Sequence, residues 1–99
     1  NRPSAPCLAT RFTYGTKISK PALDQIRDAE AYLDSLGLHA VRVRYDGKNA
    51  RIEVQEDELE KVIEQRENII AKLKTLGFIK ISLDLEGYRL GSNNEGYIK

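Results

Sequence analysis

Residues 41–54 carry the sequence VRVRYDGKNARIEV, in which two alternating segments flank a short polar stretch. Its first four residues alternate valine with arginine, and its last five alternate apolar with charged side chains. Such alternation predicts strands that bury one face and expose the other. Residues 46–49 between them are Asp-Gly-Lys-Asn, types that favour chain reversal. The stretch therefore predicts a β-hairpin with Arg42 and Arg44 on its polar face.

Helical periodicity flanks this hairpin on both sides. Before it, Pro21 suits a first helical turn, and apolar residues recur at helical spacing as far as Gly37, which suits a left-handed cap. After it, acidic residues 56–58 suit a helix start, and a second apolar stripe continues to Gly77. Residues 78–85 alternate again and predict a third strand. The predicted stripe of the second helix is Leu59, Val62, Ile63, Ile69, Ile70 and Leu73, and that of the third strand is Ile79, Ile81, Leu83 and Leu85.

These elements predict a small α+β domain with the order αββαβ. One-sided helices and strands bury their apolar surfaces if both helices cover the same face of the sheet. The crossover through the second helix sets the third strand parallel to the second. We place the first strand between them, in a three-stranded antiparallel/mixed sheet of order 2-1-3. Residues 1–19 are expected to form a lead segment, residues 20–87 the domain, and residues 88–99 a C-terminal loop or tail.

Composition limits the classes of function. The 99 residues suffice for one domain, and a net charge of +1 creates no overall field that collects nucleic acid or anionic membrane. One cysteine cannot form an internal disulfide, and no apolar run approaches the ~20 residues of a membrane span. We therefore expect a cytoplasmic protein. Since the chain opens with Asn1 and contains no methionine, we interpret it as a fragment or a processed piece.

The polar face of the predicted sheet has an excess of cations. Two arginines at positions i and i+2 of one strand project side by side, and their planar guanidinium groups suit phosphate or carboxylate oxygens. A solvated sheet face with no ligand is the competing interpretation. Recognition of RNA is disfavoured, because the polar face lacks aromatic residues on which bases stack. The residues expected there are Arg42, Arg44, Arg51, Glu53, Lys80, Ser82 and Asp84.

Three further residues are candidates for chemistry. Cys7 is the only thiol, and Arg11 lies close enough in sequence to favour its reactive thiolate form. Glu30 falls at the edge of the apolar stripe of the first helix, where it either flanks the core or contacts a metal ion or substrate. With His39 as the only histidine, this chain alone is not expected to form a zinc site. No phosphate-binding glycine loop is present, so no cofactor is expected to bind to this chain alone.

Taken in order, these motifs resemble the C-terminal part of LarE-type proteins, which are ATP-dependent sacrificial sulfur transferases of the PP-loop superfamily. The matching segments are PCLATR (residues 6–11), Tyr14-Gly15, Ile18, Ala29-Glu30, Leu33, VRVR (41–44), ARIEV (50–54), LDLEGYR (83–89), Gly91-Ser92 and Asn94-Glu95. The resemblance covers nearly the whole chain. The ATP-binding loop of the family lies in its N-terminal half, and no similar segment occurs here.

The resemblance implies a function and a set of site residues. In this family the carboxylate of a pyridinium mononucleotide is adenylated, and the motif cysteine then gives up its sulfur during nickel-pincer nucleotide biosynthesis. By position, Cys7 would be the catalytic nucleophile and sulfur donor, and Arg11, Arg42 and Arg44 would bind substrate phosphate. Glu30 matches an acidic residue near that site, as a metal or substrate contact.

The resemblance also implies partners. The expected ones are the pyridinium mononucleotide and the family's own N-terminal ATP-binding domain, which would hold most of the ATP and magnesium. The fragment alone is expected to be inactive. A homo-oligomer is left open, and no membrane or nucleic acid is expected. The rival hypotheses are a non-catalytic phosphate-binding or assembly module, and sulfur transfer directed to tRNA.

Overall fold

A computed structural model describes residue 11 and residues 19–87 of the chain. The α+β fold class is confirmed, and a 3-10 turn at Glu56–Glu58 leads into the second half of the domain. The elements are helix α1 (Lys20–Ser35), strand β1 (Arg42–Tyr45), strand β2 (Asn49–Glu53), helix α2 (Leu59–Glu64), helix α3 (Arg66–Thr75) and strand β3 (Lys80–Leu83). The division into residues 1–19, 20–87 and 88–99 stays a prediction, because most of the first segment and all of the last lie outside the described residues.

Helix α1 begins and ends where the sequence predicts. Ser19 has the extended backbone of an N-cap (φ −133°, ψ 160°), and its hydroxyl accepts the Ala22 N–H at 3.3 Å. Pro21 lies in the first turn, where an N–H has no helical partner. At the other end Gly37 has φ +94° and stops the helix. The residues that α1 buries are Ala22, Ile26, Ala29 and Leu33.

The predicted hairpin is formed by β1 and β2. The two strands are antiparallel, with Val43 opposite Ile52 and Arg44 opposite Arg51. In the turn, the Asp46 carboxylate accepts the backbone N–H of Lys48 at 3.0 Å and that of Asn49 at 2.7 Å. An aspartate that bonds to the backbone two or three residues ahead stabilises a tight reversal.

The single second helix predicted from sequence is two helices, so that prediction was wrong. Between α2 and α3, Gln65 has φ −101° and ψ 16°, and its N–H is shared by the carbonyls of Lys61 and Val62. This tightened turn interrupts the apolar stripe, so α2 buries only Val62, while Ile63 is 53% exposed. None of the helices in the described part of the chain is long and apolar enough to cross a membrane.

The strand order 2-1-3 was also wrong, because β2 and not β1 is central. The observed order is β1-β2-β3, with β3 parallel to β2 as predicted. The reason lies at the outer edge of β1, where other groups already bond to the strand. The Val43 N–H donates to the Glu30 carboxylate at 2.9 Å, and the Tyr45 N–H donates to the Arg11 carbonyl at 2.7 Å. The third strand therefore pairs with β2.

The helices pack on one face of the sheet around a single core. Of the predicted apolar stripe of β3, Ile81 and Leu83 pack against this core, whereas Ile79 and Leu85 lie outside the strand and are 61% and 75% exposed. The core consists of Ala29, Leu33, Leu38, Val41, Val43, Ala50, Ile52, Val54, Val62, Ile69, Leu73 and Phe78. Because the buried strand residues alternate with polar ones, the opposite face of the sheet carries the polar side chains.

Candidate functional site

The polar face of the sheet is the first part of the candidate site. Arg42 and Arg44 alternate with buried Val43 on β1, and Arg51 alternates with buried Ala50 and Ile52 on β2. The predicted placement of these three arginines on one face is confirmed. The sheet thus gathers guanidinium groups from two neighbouring strands on the side that the helices do not cover.

Glu53 holds two of these arginines together. Arg44 Nε donates to Glu53 Oε1 at 3.0 Å, and Arg51 donates to Glu53 Oε2 through Nε at 3.2 Å and through Nη2 at 2.9 Å. Arg44 and Arg51 are direct partners across the two strands, where like charges repel. The carboxylate of Glu53, a residue that is only 8% exposed, offsets this repulsion and orients both guanidinium groups.

A small cavity of about 180 Å³ lies beside this pair. Its lining residues are Arg44, Asp46, Asn49, Arg51 and Ser82. Backbone N–H groups of Asn49 and Lys48 bond to the Asp46 carboxylate and lower its pKa, so Asp46 is committed to the turn as an anion. Pockets that enclose a drug-sized ligand have volumes of about 300–1,000 Å³, so this cavity suits a small group such as phosphate rather than a whole nucleotide.

Arg42 lies on the same face but outside the residues that line this cavity. Its Nη1 is 3.4 Å from the carbonyl oxygen of Val41, a long contact for a hydrogen bond. The pair of arginines that meets at the cavity is therefore Arg44 with Arg51, and not Arg42 with Arg44. The alternation of apolar and charged residues predicts the face on which each arginine lies, but not this pairing. A prediction of the hairpin register would have placed Arg51 opposite Arg44.

The second part of the candidate site lies at the outer edge of β1, where Arg11 and Glu30 form an ion pair. Arg11 Nε donates to Glu30 Oε2 at 2.8 Å, and Arg11 Nη2 donates to Oε1 at 3.3 Å. Their side chains are 8% and 15% exposed. Sequence reasoning named both residues but did not predict that they bind each other, because 19 positions separate them.

Cys7, the predicted nucleophile, lies outside the described residues, as does most of its motif. The motif's last residue, Arg11, is described, and its carbonyl bonds to β1. No cluster of three or more His, Cys, Asp or Glu side chains that could hold a metal ion occurs among residue 11 and residues 19–87. The assignments of Cys7, Arg11, Arg42, Arg44 and Glu30 to catalysis or ligand binding thus stay predictions.

His39 has a structural contact. Its backbone N–H donates to Glu58 Oε1 at 2.8 Å, and its Nδ1 lies 2.8 Å from Glu58 Oε2. The imidazole itself is largely exposed, while the Glu58 side chain is only 6% exposed. The contact ties the segment before β1 to the start of α2.

Comparison with known proteins gives three similar chains. An uncharacterised protein of Synechocystis sp. is 35% identical over 96 residues, which are 95% of this chain and 36% of that protein. The pyridinium-3,5-bisthiocarboxylic acid mononucleotide synthase of Lactiplantibacillus plantarum is 35% identical over 99 residues, 100% of this chain and 36% of the synthase. An uncharacterised protein of Methanocaldococcus jannaschii is 41% identical over 87 residues, 88% of this chain and 34% of that protein.

The chain therefore spans about a third of the length of the curated relatives that it matches. No protein-family model matches it. One of the relatives is an enzyme by name, and the similarity to it extends over every residue of this chain.

Proposed function

We propose that this chain is the sulfur-donating and substrate-binding part of a LarE-type, ATP-dependent sulfur transferase of nickel-pincer nucleotide biosynthesis. The observation that carries the proposal is the 35% identity over all 99 residues to a synthase named for a pyridinium mononucleotide with two thiocarboxylic acid groups. Making such a product requires sulfur on carboxyl carbons. The PCLATR motif contains one sulfur atom, at Cys7.

In the proposed reaction, the Cys7 thiolate attacks the acyl carbon of an adenylated pyridinium carboxylate. The carbon–oxygen bond to AMP breaks, AMP leaves with the electron pair, and a thioester forms. A general base then removes the Cα proton of Cys7, and the Cβ–S bond breaks with its electrons going to sulfur. The substrate leaves as a thiocarboxylate, and residue 7 becomes dehydroalanine. A nearby guanidinium favours the thiolate that starts this sequence.

The polar face of the sheet is the proposed site for the substrate phosphate. Arg42 and Arg44 are the assigned ligands, and the cavity beside Arg44 and Arg51 has a volume that suits a phosphate group. Guanidinium groups bind phosphate oxygens through paired N–H bonds, which fix orientation as well as charge. Arg11 is assigned to the same anion from its place in the motif.

ATP and magnesium are assigned mainly to the N-terminal half of the family, which precedes the part that this chain resembles. The sequence contains no phosphate-binding glycine loop, and the described residues offer no cluster of carboxylates that suits Mg²⁺. The proposal therefore requires a longer protein whose N-terminal half adenylates the substrate. This assignment makes the 99 residues alone inactive, with a pyridinium mononucleotide and the ATP-binding half as their partners.

The decisive test is the mass of residue 7 after the reaction. The longer protein that contains this sequence is incubated with ATP, magnesium and the pyridinium carboxylate mononucleotide, and its peptides are analysed by mass spectrometry. We expect the peptide that contains Cys7 to lose the mass of one hydrogen sulfide molecule. A Cys7→Ser variant is the control. A Cys7 peptide of unchanged mass would instead favour a non-catalytic phosphate-binding module, and transfer to added tRNA would favour the tRNA-directed alternative.

A second test measures binding of the mononucleotide to the same protein. Replacing Arg42 and Arg44 by alanine is expected to weaken binding by about 1.5–3 kcal/mol for each charged hydrogen bond lost. Titration calorimetry gives the affinity. Arg27→Ala is the matched control, because Arg27 is an exposed arginine of α1 that pairs with Asp24. Equal affinity in the Arg42 and Arg44 variants would place the phosphate elsewhere.

A further inference from the structure

Arg11, the last residue of the PCLATR motif, binds Glu30 of helix α1. The two N–H···O bonds between them, at 2.8 and 3.3 Å, form a bidentate pair. Two bonds between a planar guanidinium and a planar carboxylate restrict the direction of both side chains, and not only their distance. With side chains 8% and 15% exposed, solvent screens this pair little. The Arg11 side chain thus has a fixed place relative to α1.

The same two residues also bind the outer edge of β1. Glu30 Oε2 accepts the Val43 N–H at 2.9 Å, and the Arg11 carbonyl accepts the Tyr45 N–H at 2.7 Å. Alternate N–H groups of a strand point to the same side, so both bonds use the edge that β2 leaves open. Glu30 therefore links α1, β1 and Arg11 in one contact. Its two oxygens accept three N–H groups, which leaves little capacity for the metal contact considered from the sequence.

We propose that Glu30 is a positioning residue for the sulfur donor, because through Arg11 it holds the end of the cysteine motif on the outer edge of β1. The inference rests on the proposed function, in which Cys7 is that donor. In this role Glu30 acts through Arg11 and not by contact with the reacting atoms. Cys7 lies four positions before Arg11, so chain geometry keeps their Cα atoms within about 14 Å of each other.

Glu30→Gln is the informative substitution. Glutamine has the same shape and keeps an oxygen for the Val43 N–H, but it removes the charge that pairs with Arg11. Loss of the paired carboxylate destabilises a buried guanidinium in its present place, so Arg11 is expected to leave the contact. The prediction is a local release of the motif from β1 while the core stays folded. Arg11→Lys is the second variant, since lysine keeps the charge but cannot form the bidentate pair.

The single cysteine makes this release measurable in the 99-residue chain. A nitroxide spin label on Cys7 broadens the NMR signals of nearby backbone amides, and amide exchange reports the bonds at Val43 and Tyr45. In the parent sequence we expect strong, localised broadening and slow exchange at both amides. In Glu30→Gln the broadening should weaken and spread, and exchange at Tyr45 should accelerate about tenfold or more. Arg11→Lys should change both signals in the same direction.

Asp24→Asn is the matched control. It removes one carboxylate from the same helix and breaks an ion pair with Arg27, but that pair is exposed. No change in broadening or exchange is expected. Unchanged core amides, such as that of Leu73, show that each variant is folded. If Glu30→Gln and Arg11→Lys leave the broadening pattern of the parent intact, the positioning role is overturned.

The mass measurement on the longer protein separates this inference from the proposed function. If the broadening weakens and spreads in Glu30→Gln and wild-type Cys7 loses sulfur, then Glu30→Gln should lower the single-turnover rate of sulfur loss at saturating mononucleotide more than it changes the mononucleotide concentration that gives half of that rate, which supports positioning of the donor. If the broadening weakens and spreads in Glu30→Gln but the mass of wild-type Cys7 is unchanged, the sulfur-transfer function is overturned. The claim that Glu30 positions a sulfur donor then falls with it. If the broadening in Glu30→Gln is the same as in the parent and wild-type Cys7 loses sulfur, only the role of Glu30 is overturned.

Discussion

Glu58 is a carboxylate that the fold buries and then stabilises as an anion. Burial by itself raises the pKa of Glu58, but the hydrogen bonds from His39 and the charges of His39 and Lys61 outweigh that effect. The net result is a pKa below the ordinary value of a glutamate. A residue whose pKa falls on folding favours the folded state wherever it is ionised. Glu58 connects the segment before β1 to the start of α2, and the stability of this contact therefore depends on pH.

This coupling predicts an acid-sensitive contribution to stability. Above about pH 4.3, the ordinary pKa of a glutamate, the contribution is fully present, and it is lost as the pH falls through the lower folded-state value. Glu58→Gln should therefore lower the free energy of unfolding at pH 7, by up to about 3 kcal/mol. The difference between parent and variant should shrink in acid. Urea unfolding between pH 7 and pH 3, followed by circular dichroism, measures it.

Glu60→Gln provides the comparison, because Glu60 is an exposed glutamate in the first turn of α2, two positions after Glu58. Its effect should be within about 0.5 kcal/mol at neutral pH. If Glu58→Gln lowers stability equally at pH 7 and pH 3, the ionised carboxylate is not the source of the contribution.

At the scale of an element, the end of α3 shows how backbone and side chain together stop a helix. The Phe78 N–H bonds to the Leu73 carbonyl at 3.3 Å, and the Gly77 N–H bonds to the Lys74 carbonyl at 3.0 Å. These are the two bonds of a Schellman cap, with φ +109° at Gly77. Gln25 from α1 adds a third contact, because its Nε2 donates to the Leu76 carbonyl at 2.8 Å.

Replacing Gly77 by alanine is expected to cost more stability than replacing Gly37. Both glycines have a positive φ, so each alanine carries a backbone penalty of about 1–2 kcal/mol. A Cβ at Gly37 would meet open space, whereas one at Gly77 would meet Gln25 Nε2 and displace it from Leu76. The lost hydrogen bond should add about 1 kcal/mol. Thermal or urea unfolding of the two variants gives the comparison.

A double-mutant cycle isolates the added cost. In a Gln25→Ala background there is no amide to displace, so Gly77→Ala and Gly37→Ala should then cost about the same. A persistent difference in that background would assign the extra cost to the backbone at Gly77 rather than to Gln25.

Elements with local signals could be predicted from the sequence, as could the hairpin and the direction of β3, but the order of the strands in the sheet could not. The limits of α1 follow from Ser19, Pro21 and Gly37, which act on their own neighbours in the chain. Whether β3 pairs with β1 or with β2 depends on which groups already bond to the outer edge of β1. That answer comes from Glu30 and Arg11, which are distant in sequence from β1, so neither periodicity nor composition reveals it.

The same distinction applies to the candidate site. Alternation placed Arg42 and Arg44 on the polar face, because a strand turns every second side chain to the same side. The pairing of Arg44 with Arg51 through Glu53 depends on strand register, and the pairing of Arg11 with Glu30 depends on tertiary packing. The role of Cys7 rests on resemblance alone, since it lies outside the described residues.

At the scale of the whole molecule, one face of the sheet carries the residues that stabilise the fold, and the other face carries those of the proposed phosphate site. Helices α1, α2 and α3 contribute their buried side chains to one face, and the arginines occupy the other. Substitutions on the polar face can therefore test the proposed anion binding without opening the core. The Arg11–Glu30 pair is the exception, because it lies at the edge of the sheet and joins α1 to the cysteine motif.

A single core predicts that the described domain unfolds as one cooperative unit. Leu33 of α1 and Leu73 of α3 are both 0% exposed and belong to the same cluster. Leu33→Ala and Leu73→Ala should each lower the free energy of unfolding by about 2–5 kcal/mol, because each leaves a cavity in shared packing. Ile63→Ala, at a side chain that is 53% exposed, is the control and should have a far smaller effect. Far-UV circular dichroism follows the helices. Tyrosine fluorescence, to which Tyr32 and Tyr45 beside the core contribute, follows tertiary packing, so the two urea transitions should coincide in every variant. Two separated transitions, or loss of α1 alone in Leu33→Ala, would show that the helices do not share one core.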